Sequence, residues 1–260
     1  MKNIDINIIG AGNVAWHLAH RLFICGYKIN SIFSLHSENA ERLAHEINAS
    51  VLKNITDFQP AMVNILSIKD EVYNEIITQL PHCEQIFVHT SGSIDTNVLA
   101  GLSDNFGVFY PFQTFSKNKP IDFSQVPICI EASNEFTKTT LTTIANDIST
   151  KVYFLTLKQR SQLHLAGVFA SNFTNALYGL AEEILMKENI DFDIIKPLIK
   201  ETANKIELLR PYESQTGPAA RKDWNIINKH IAMLDNDNKR NLYRFLTQII
   251  QEQQKKHLSI

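Results

Sequence analysis

Cysteine, proline and glycine are scarce in this 260-residue chain, at three, eight and nine. Cys25, Cys83 and Cys129 lie far apart without a CxxC pair. Neither a disulfide framework nor a metal-binding knuckle is expected, and a reducing compartment is the natural setting. So few prolines and glycines exclude a collagenous or low-complexity chain. No run approaches the roughly 18 apolar residues needed to span a bilayer. The opening Met-Lys-Asn passes straight into a strand pattern, so no signal peptide is expected. Charge of one sign is lacking too: 25 Lys and Arg face 27 Asp and Glu, a net of −2. A dedicated nucleic-acid binder normally shows a basic excess or stripe. A GxxxxGK[ST] phosphate loop is also absent. The expectation is a soluble cytoplasmic protein with no nucleic-acid partner, no membrane partner and no metal site.

What is present is a change of pattern along the chain. Short apolar runs at 4–9, 29–35, 61–68, 85–89, 107–110, 127–131 and 152–155 read as strands. Amphipathic spacing at 14–25, 38–48, 70–80 and 135–148 reads as helices between them. Such alternation means βαβ units and a mainly parallel sheet. After residue 105 the long intervening helices are missing, so part of the sheet is expected to be antiparallel. From 158 onward only helical periods remain, at 158–187, 192–209, 221–234 and 237–256. The fold class is α/β: a Rossmann-like domain over 1–156, then an all-helical substrate and dimerisation domain over 157–260.

The most specific motif is Gly10-Ala11-Gly12-Asn13-Val14-Ala15, a GxGxxA that follows the first strand and opens a helix. Gly10 permits the tight turn, Gly12 lets main chain approach a pyrophosphate, and Ala15 keeps the helix close to the strand. The free N–H groups and the positive helix end then face the anion. The competing reading is an ordinary strand–helix turn. An NAD site normally places an acid at the end of the second strand to hold the ribose 2′-hydroxyl. Here Ser34, Leu35, His36 and Ser37 precede the first acid, Glu38. Ser34, His36 and Ser37 suit a 2′-phosphate, with Arg42 one turn into the helix, so NADP is favoured over NAD. No arginine follows the strand directly, which leaves an empty polar loop as the alternative. The missing acid also argues against a methyltransferase.

Ligands of open α/β sheets bind outside the carboxyl ends of the strands. Ser67-Ile68 ends one strand and His89-Thr90-Ser91-Gly92-Ser93 another. Ser67, Ile68, Thr90, Ser91 and Gly92 are small or polar where a ribose and nicotinamide would lie. Ser91 lacks the GxSxG elbow of a nucleophile. His89 reads as buried or structural. Tyr110-Pro111-Phe112-Gln113-Thr114 closes a further strand; its aromatics read as wall packing, with Gln113 or Thr114 as ligand contacts.

On the long helix Arg160, His164, Val168, Ser171 and Asn175 fall on one stripe, beside Asn172, while the rest is largely apolar. A helix apolar nearly all round is buried, so its polar stripe faces a cleft or bonds to another helix. His164 and Asn175 lie about 16 Å apart, too far to share one small substrate. In Gln215-Thr216-Gly217-Pro218-Ala219-Ala220-Arg221-Lys222-Asp223, Thr216 or a neighbour caps the next helix, with Pro218 in its first turn. Arg221 then lies near a helix start and suits a carboxylate or phosphate; its alternative is a surface ion pair with Asp223.

The stretches GAGNVAWHLA, HTSGSIDTNVL, GVFYPFQTF, HLAGVFASNFTNALY and QTGPAARKD are spread along the chain from residue 10 to residue 223, so that the resemblance they carry covers almost the whole chain. On them it resembles a bacterial family of NADP oxidoreductases with a Rossmann-like domain followed by a helical one. More distantly it is similar to pyrroline-5-carboxylate reductase, ketopantoate reductase and the 6-phosphogluconate dehydrogenase group. The resemblance implies a nicotinamide-dependent reductase, a substrate held between the two halves and a homodimer through the helical domain. Several of those relatives carry a lysine on the first long helix as acid or base, with an asparagine a turn later. This chain has none between Lys158 and Lys187, which makes His164 the candidate proton donor. The expected reaction is hydride transfer between NADP(H) and a small carbonyl or imine, with His164, Asn172 or Asn175 at the reacting centre and Arg221 on an anionic group. A non-catalytic dinucleotide sensor and a dimeric scaffold are the competing readings.

Overall fold

A computed structural model describes residues 2–257. Two compact units divide the chain, Met1–Ala176 and Leu177–Ile260. The first is built on strands β1 (Asp5–Ile9), β2 (Lys28–Phe33), β3 (Ser50–Leu52), β4 (Val63–Leu66), β5 (Ile86–His89), β6 (Phe106–Pro111), β7 (Ile128–Ala132) and β8 (Val152–Phe154). They form one sheet in the order β3-β2-β1-β4-β5-β6-β7-β8. Every neighbouring pair is parallel except β6 and β7. The antiparallel pair falls where the long intervening helices give out. β3 has no counterpart in the sequence reading, because a three-residue strand is too short to show a period of two.

The central strands are apolar on both faces, and their side chains alternate between two cores. Ile6, Ile8, Val63, Ile65, Ile86 and Val88 join one core, packed under helices α1 (Asn13–Ile24), α2 (Ser37–Glu46) and α4 (Glu135–Ile148). Ile9, Leu66 and Phe87 turn to the other, with Tyr73 and Ile76 of α3 (Tyr73–Ile77). Strand order reverses between β1 and β4, so a crevice opens beyond their carboxyl ends.

Helix α5 (Leu157–Gly167), a π-helical segment (Val168–Phe173) and α6 (Thr174–Met186) follow one another without a break. The first compact unit reaches Ala176, twenty residues beyond the change of pattern at 156. The beginning of this rod is tied to the sheet: Arg160 is 1% exposed and bonded to the β5–β6 connection. The burial expected for this helix is corrected by its exposure. Arg160 is the one buried residue of α5, whereas Leu165, Phe169 and Phe173 are 51%, 63% and 51% exposed. Its apolar positions exceed what a single chain covers.

The second unit is helical among its described residues: the later part of α6, then α7 (Lys196–Leu208), α8 (Pro218–Arg221), α9 (Trp224–Met233) and α10 (Asp237–His257). Gly217, at φ +99°, opens α8 with Pro218 in first position, so the neighbour of Thr216 makes the cap. Asp223 caps α9 by accepting from the Ile226 amide. Among the described residues no helix is long and apolar enough to cross a membrane.

Candidate functional site

The crevice begins at the glycine turn. Gly10 has φ +117°, and a β-carbon there would lie 2.1 Å from the Ser67 carbonyl oxygen. Only glycine fits. Its amide donates to Phe33 O at 2.6 Å while the Ser67 amide donates to Ile9 O at 2.7 Å, tying the ends of β1, β2 and β4 together. Gly12 is the N-cap of α1; no side chain caps this end and its first turn carries no acid. The first amides of a helix have no intrahelical acceptor, so these donors face the crevice with the positive end of the dipole. A β-carbon on Gly12 would meet nothing within 4 Å. Donors without a cap and open space above them fit a diphosphate.

A cavity of about 640 Å³ runs from this turn along the strand ends. Ala11, Gly12, Asn13, Val14, Ser34, His36, Ser67, Ile68, Thr90, Ser91, Gly92 and His164 all line it. Gly10 lines an adjoining space of about 320 Å³ with Phe33, Leu35, Val72 and Ile76, an apolar slot suited to a flat heterocycle. Ser37 opens α2 and lines neither. Asn39, Lys69, Asp70, Ser93, Tyr110, Pro111, Gln113 and Lys117 complete the larger cavity.

The turn after β5 is fixed from within. His89 is fully buried; burial first and the nearby Arg160 cation second push its pKa down to about 3, so the ring is neutral. Its Nδ1 accepts from the Ser91 amide at 3.2 Å. Ser91 Oγ accepts from the amides of Ser93 and Ile94, a turn-forming role rather than a nucleophile's. Thr90 Oγ1 donates to Ser67 Oγ at 3.1 Å. Arg160 belongs to this scaffold and not to a cleft-facing stripe. Its guanidinium donates to Ser91 O at 2.8 Å and Ile94 O at 2.9 Å, and pairs with Glu131 at 3.1 Å.

His164, one turn further along α5, is exposed to the cavity. Its Nδ1 shares a 3.1 Å hydrogen bond with the Tyr110 hydroxyl. Burial pushes the Tyr110 pKa up to about 12, so the phenol keeps its proton at neutral pH. A β-carbon on Gly92 would lie 2.8 Å from His164 Nδ1, which makes that glycine the bed on which the imidazole rests. Tyr110, Gln113 and His164 also line a second cavity of about 580 Å³, with Thr114, Lys151, Ser171 and Asn172 among its other walls.

The structure therefore brings His164, Ser171 and Asn172 to one cavity and leaves Asn175 outside it. The π-helical turns explain the split. They advance less per residue than α-helical ones, so the stripe drawn at α-helical spacing loses its register after Val168. Thr174 Oγ1 donates to Phe169 O, five residues back, across the widened turn. Arg221 lies in the second unit. It closes α8 rather than opening a helix, because Gly217 and Pro218 take the first positions. It is exposed and has no ion pair among the described residues, while Asp223 is spent on the α9 cap. Sequence reading missed Tyr110 as the His164 partner, Lys117 and Lys151 as cationic walls, and Asn39 beside Lys117. Only Tyr110 carried a signal, its place at a strand end. Among the described residues no group of three or more His, Cys, Asp or Glu could hold a metal ion.

Two family models match the chain. NADP oxidoreductase coenzyme F420-dependent matches residues 5–91, and Domain of unknown function DUF2520 matches 126–250. No curated protein shows significant similarity. A solved structure from Bacteroides fragilis, described as a candidate NADP oxidoreductase, is 41% identical, covers 96% of this chain and 98% of its own, and has a TM-score of 0.91. An imine reductase from Myxococcus stipitatus in complex with NADP+ is 13% identical over 98% of this chain and 94% of its own, with a TM-score of 0.63. A pyrroline-5-carboxylate reductase from Coxiella burnetii is 13% identical over 98% of both chains, with a TM-score of 0.61. These last two share the fold. The identity to the Bacteroides protein, sustained over nearly the full length of both chains, places this chain in the same family, and the protein belongs to the NADP oxidoreductases.

Proposed function

We propose that the chain reduces a small carbonyl or imine compound with NADPH. The observation that carries this reading is the continuous run of cavity wall from the uncapped α1 amides, past Thr90 and Gly92, to His164. Bound NADPH supplies the hydride. The residues of the chain do the rest. The Gly12–Val14 amides hold the diphosphate, Ser34 and His36 face the 2′-phosphate, and Ser67, Ile68 and Thr90 border the nicotinamide end. His164 delivers the proton to the oxygen or nitrogen as the carbon accepts hydride, leaving an alcohol or amine; Tyr110 orients the imidazole through Nδ1. Asn172 polarises the reacting group from the second cavity. The imine reductase and pyrroline-5-carboxylate reductase on the same fold support this substrate class.

The test is NADPH oxidation at 340 nm across a panel of carbonyls and imines. His164→Ala should lose turnover while its NADPH affinity stays within twofold. Undiminished turnover removes His164 from the mechanism; tight NADPH binding with no substrate across the panel turns the reading to a dinucleotide sensor.

A homodimer through the helical half is part of the same proposal. Leu165, Phe169, Phe173 and Leu177 are all at least 39% exposed. Sedimentation should give twice the monomer mass of 29.6 kDa. Three free cysteines support a reducing, cytoplasmic setting.

A further inference from the structure

No arginine follows β2 directly, where NADP sites are normally served. The structure brings a cation to that place from elsewhere in the chain. Lys117 lies in the connection between β6 and β7, half-buried, and lines the same cavity as Ser34, His36 and Asn39. Its Nζ donates to Asn39 Oδ1 at 2.9 Å in the first turn of α2. It also stands 5.1 Å from the centroid of the buried Trp16 ring. The Arg42 guanidinium stands over the same ring at 4.7 Å. Two cations thus share one aromatic platform, within the range of cation–π attraction.

That pairing is unbalanced. Arg42 reaches Glu46 at 3.5 Å on its own helix. Lys117 has no carboxylate within ion-pair distance among the described residues, although Lys2, Lys138, Lys187, Lys196 and Lys239 each have one. Burial, with the Arg42 charge adding to it, holds the ammonium below the ordinary lysine range. Glu38, the first acid after β2, is exposed and does not line the cavity. A half-buried ammonium facing a second cation is stabilised when an anion enters. Ser34 Oγ accepts from the His36 amide at 3.2 Å, which leaves its hydroxyl proton free to donate into the same space.

We infer that Lys117 is the residue that selects NADP over NAD, binding the 2′-phosphate together with Ser34 and His36. This rests on the proposed dinucleotide site and adds its specificity determinant: a charge carried by the β6–β7 connection in place of an arginine after β2.

Isothermal titration of the full chain with NADPH, NADH and adenosine 2′,5′-bisphosphate tests it without turnover. Lys117→Ala and Lys117→Gln should weaken NADPH and the bisphosphate about 10- to 100-fold, the range of a charge-assisted contact. NADH should change less than twofold. Lys119→Ala, a neighbour that does not line the cavity, should leave all three unchanged. Equal losses for NADPH and NADH place Lys117 on a phosphate both share and overturn the inference, as do unchanged affinities. If the wild-type chain binds none of the three, the dinucleotide site itself is wrong and this inference falls with it.

Discussion

Arg160→Met isolates the group that holds the candidate site together. Methionine fills much of the arginine's volume and removes every donor. One guanidinium nitrogen donates to two carbonyls at 2.8 and 2.9 Å, and the other reaches Glu131 at 3.1 Å and Thr96 at a marginal 3.4 Å. The side chain is 1% exposed, so the abandoned carbonyls find little water. Removing one partner of a buried ion pair costs roughly 3–5 kcal/mol. Glu131 is 27% exposed and regains some hydration, which places the expected loss at the lower end, about 3 kcal/mol. For a unit of this size each kcal/mol moves Tm by roughly 2–4 °C, so melting should fall by about 6–12 °C. Glu131→Gln keeps an oxygen for the guanidinium and should lose about 1 kcal/mol. The contrast is the substance of the prediction: Arg160 matters for the carbonyls of the β5–β6 connection more than for its carboxylate. Thermal unfolding by circular dichroism measures both. An Arg160→Met melt within 2 °C of wild type, or a Glu131→Gln loss as large as that of Arg160→Met, refutes the reasoning.

Gly92→Ala puts a methyl 2.8 Å from His164 Nδ1 and must displace the imidazole; turnover should fall at least tenfold with Tm nearly unchanged, and undiminished turnover would show that the ring's seat is immaterial. Gly10→Ala meets both a φ of +117° and the Ser67 carbonyl at 2.1 Å. Backbone cannot yield as a side chain can, so a loss above about 4 kcal/mol is expected, read as a collapse of soluble yield or Tm. His89 stays neutral in the fold down to pH about 3 against an ordinary 6.5. Between those values the unfolded chain binds a proton that the folded chain refuses, so stability falls as pH drops through the window, by at most about 1.4 kcal/mol per pH unit. His89→Asn should flatten that slope in urea melts taken from pH 7 to pH 4; an unchanged slope would assign the acid sensitivity elsewhere.

The parallel half was legible because burial on both faces writes long apolar runs and the glycine turn writes its own geometry. The strand ends that open onto the crevice, those of β1, β2, β4 and β5, followed from those runs together with the rule for open sheets. What escaped depended on distance in sequence. Lys117 is 78 positions from Asn39, its hydrogen-bond partner, and nothing near either residue announces the other. Tyr110 and His164 are 54 apart and meet through the packing of α5 on the ends of β5 and β6. The polar stripe of the long helix failed for a local reason. Spacing at i+4 and i+3 assumes an α-helix throughout, and the π-helical turns from Val168 to Phe173 remove Asn175 while keeping Ser171 and Asn172. The same stripe could not separate Arg160 from His164, since one face of a helix can hold a structural cation and a cavity-lining ring a single turn apart.

That neighbourhood is itself informative about how the site achieves its geometry. His164 is flanked on its own helix by two fixed points, Arg160 four residues before and Gly167 three residues after. Arg160 grips the connection that leaves β5. At Gly167 the backbone approaches the Phe112 ring so closely that a β-carbon would lie 2.8 Å from it, just past the end of β6. Four and three residues of α-helix amount to about 6 and 4.5 Å of rise, and all three positions fall on neighbouring ridges of one face. The imidazole is therefore positioned by helix geometry between anchors on two adjacent strand ends, and Tyr110, from β6, supplies the remaining contact. A group held on a rigid element is placed more accurately than one on a loop. The departure from α-helical winding starts at Val168, one residue after the second anchor, so the change of register lies beyond His164 and leaves its seat undisturbed.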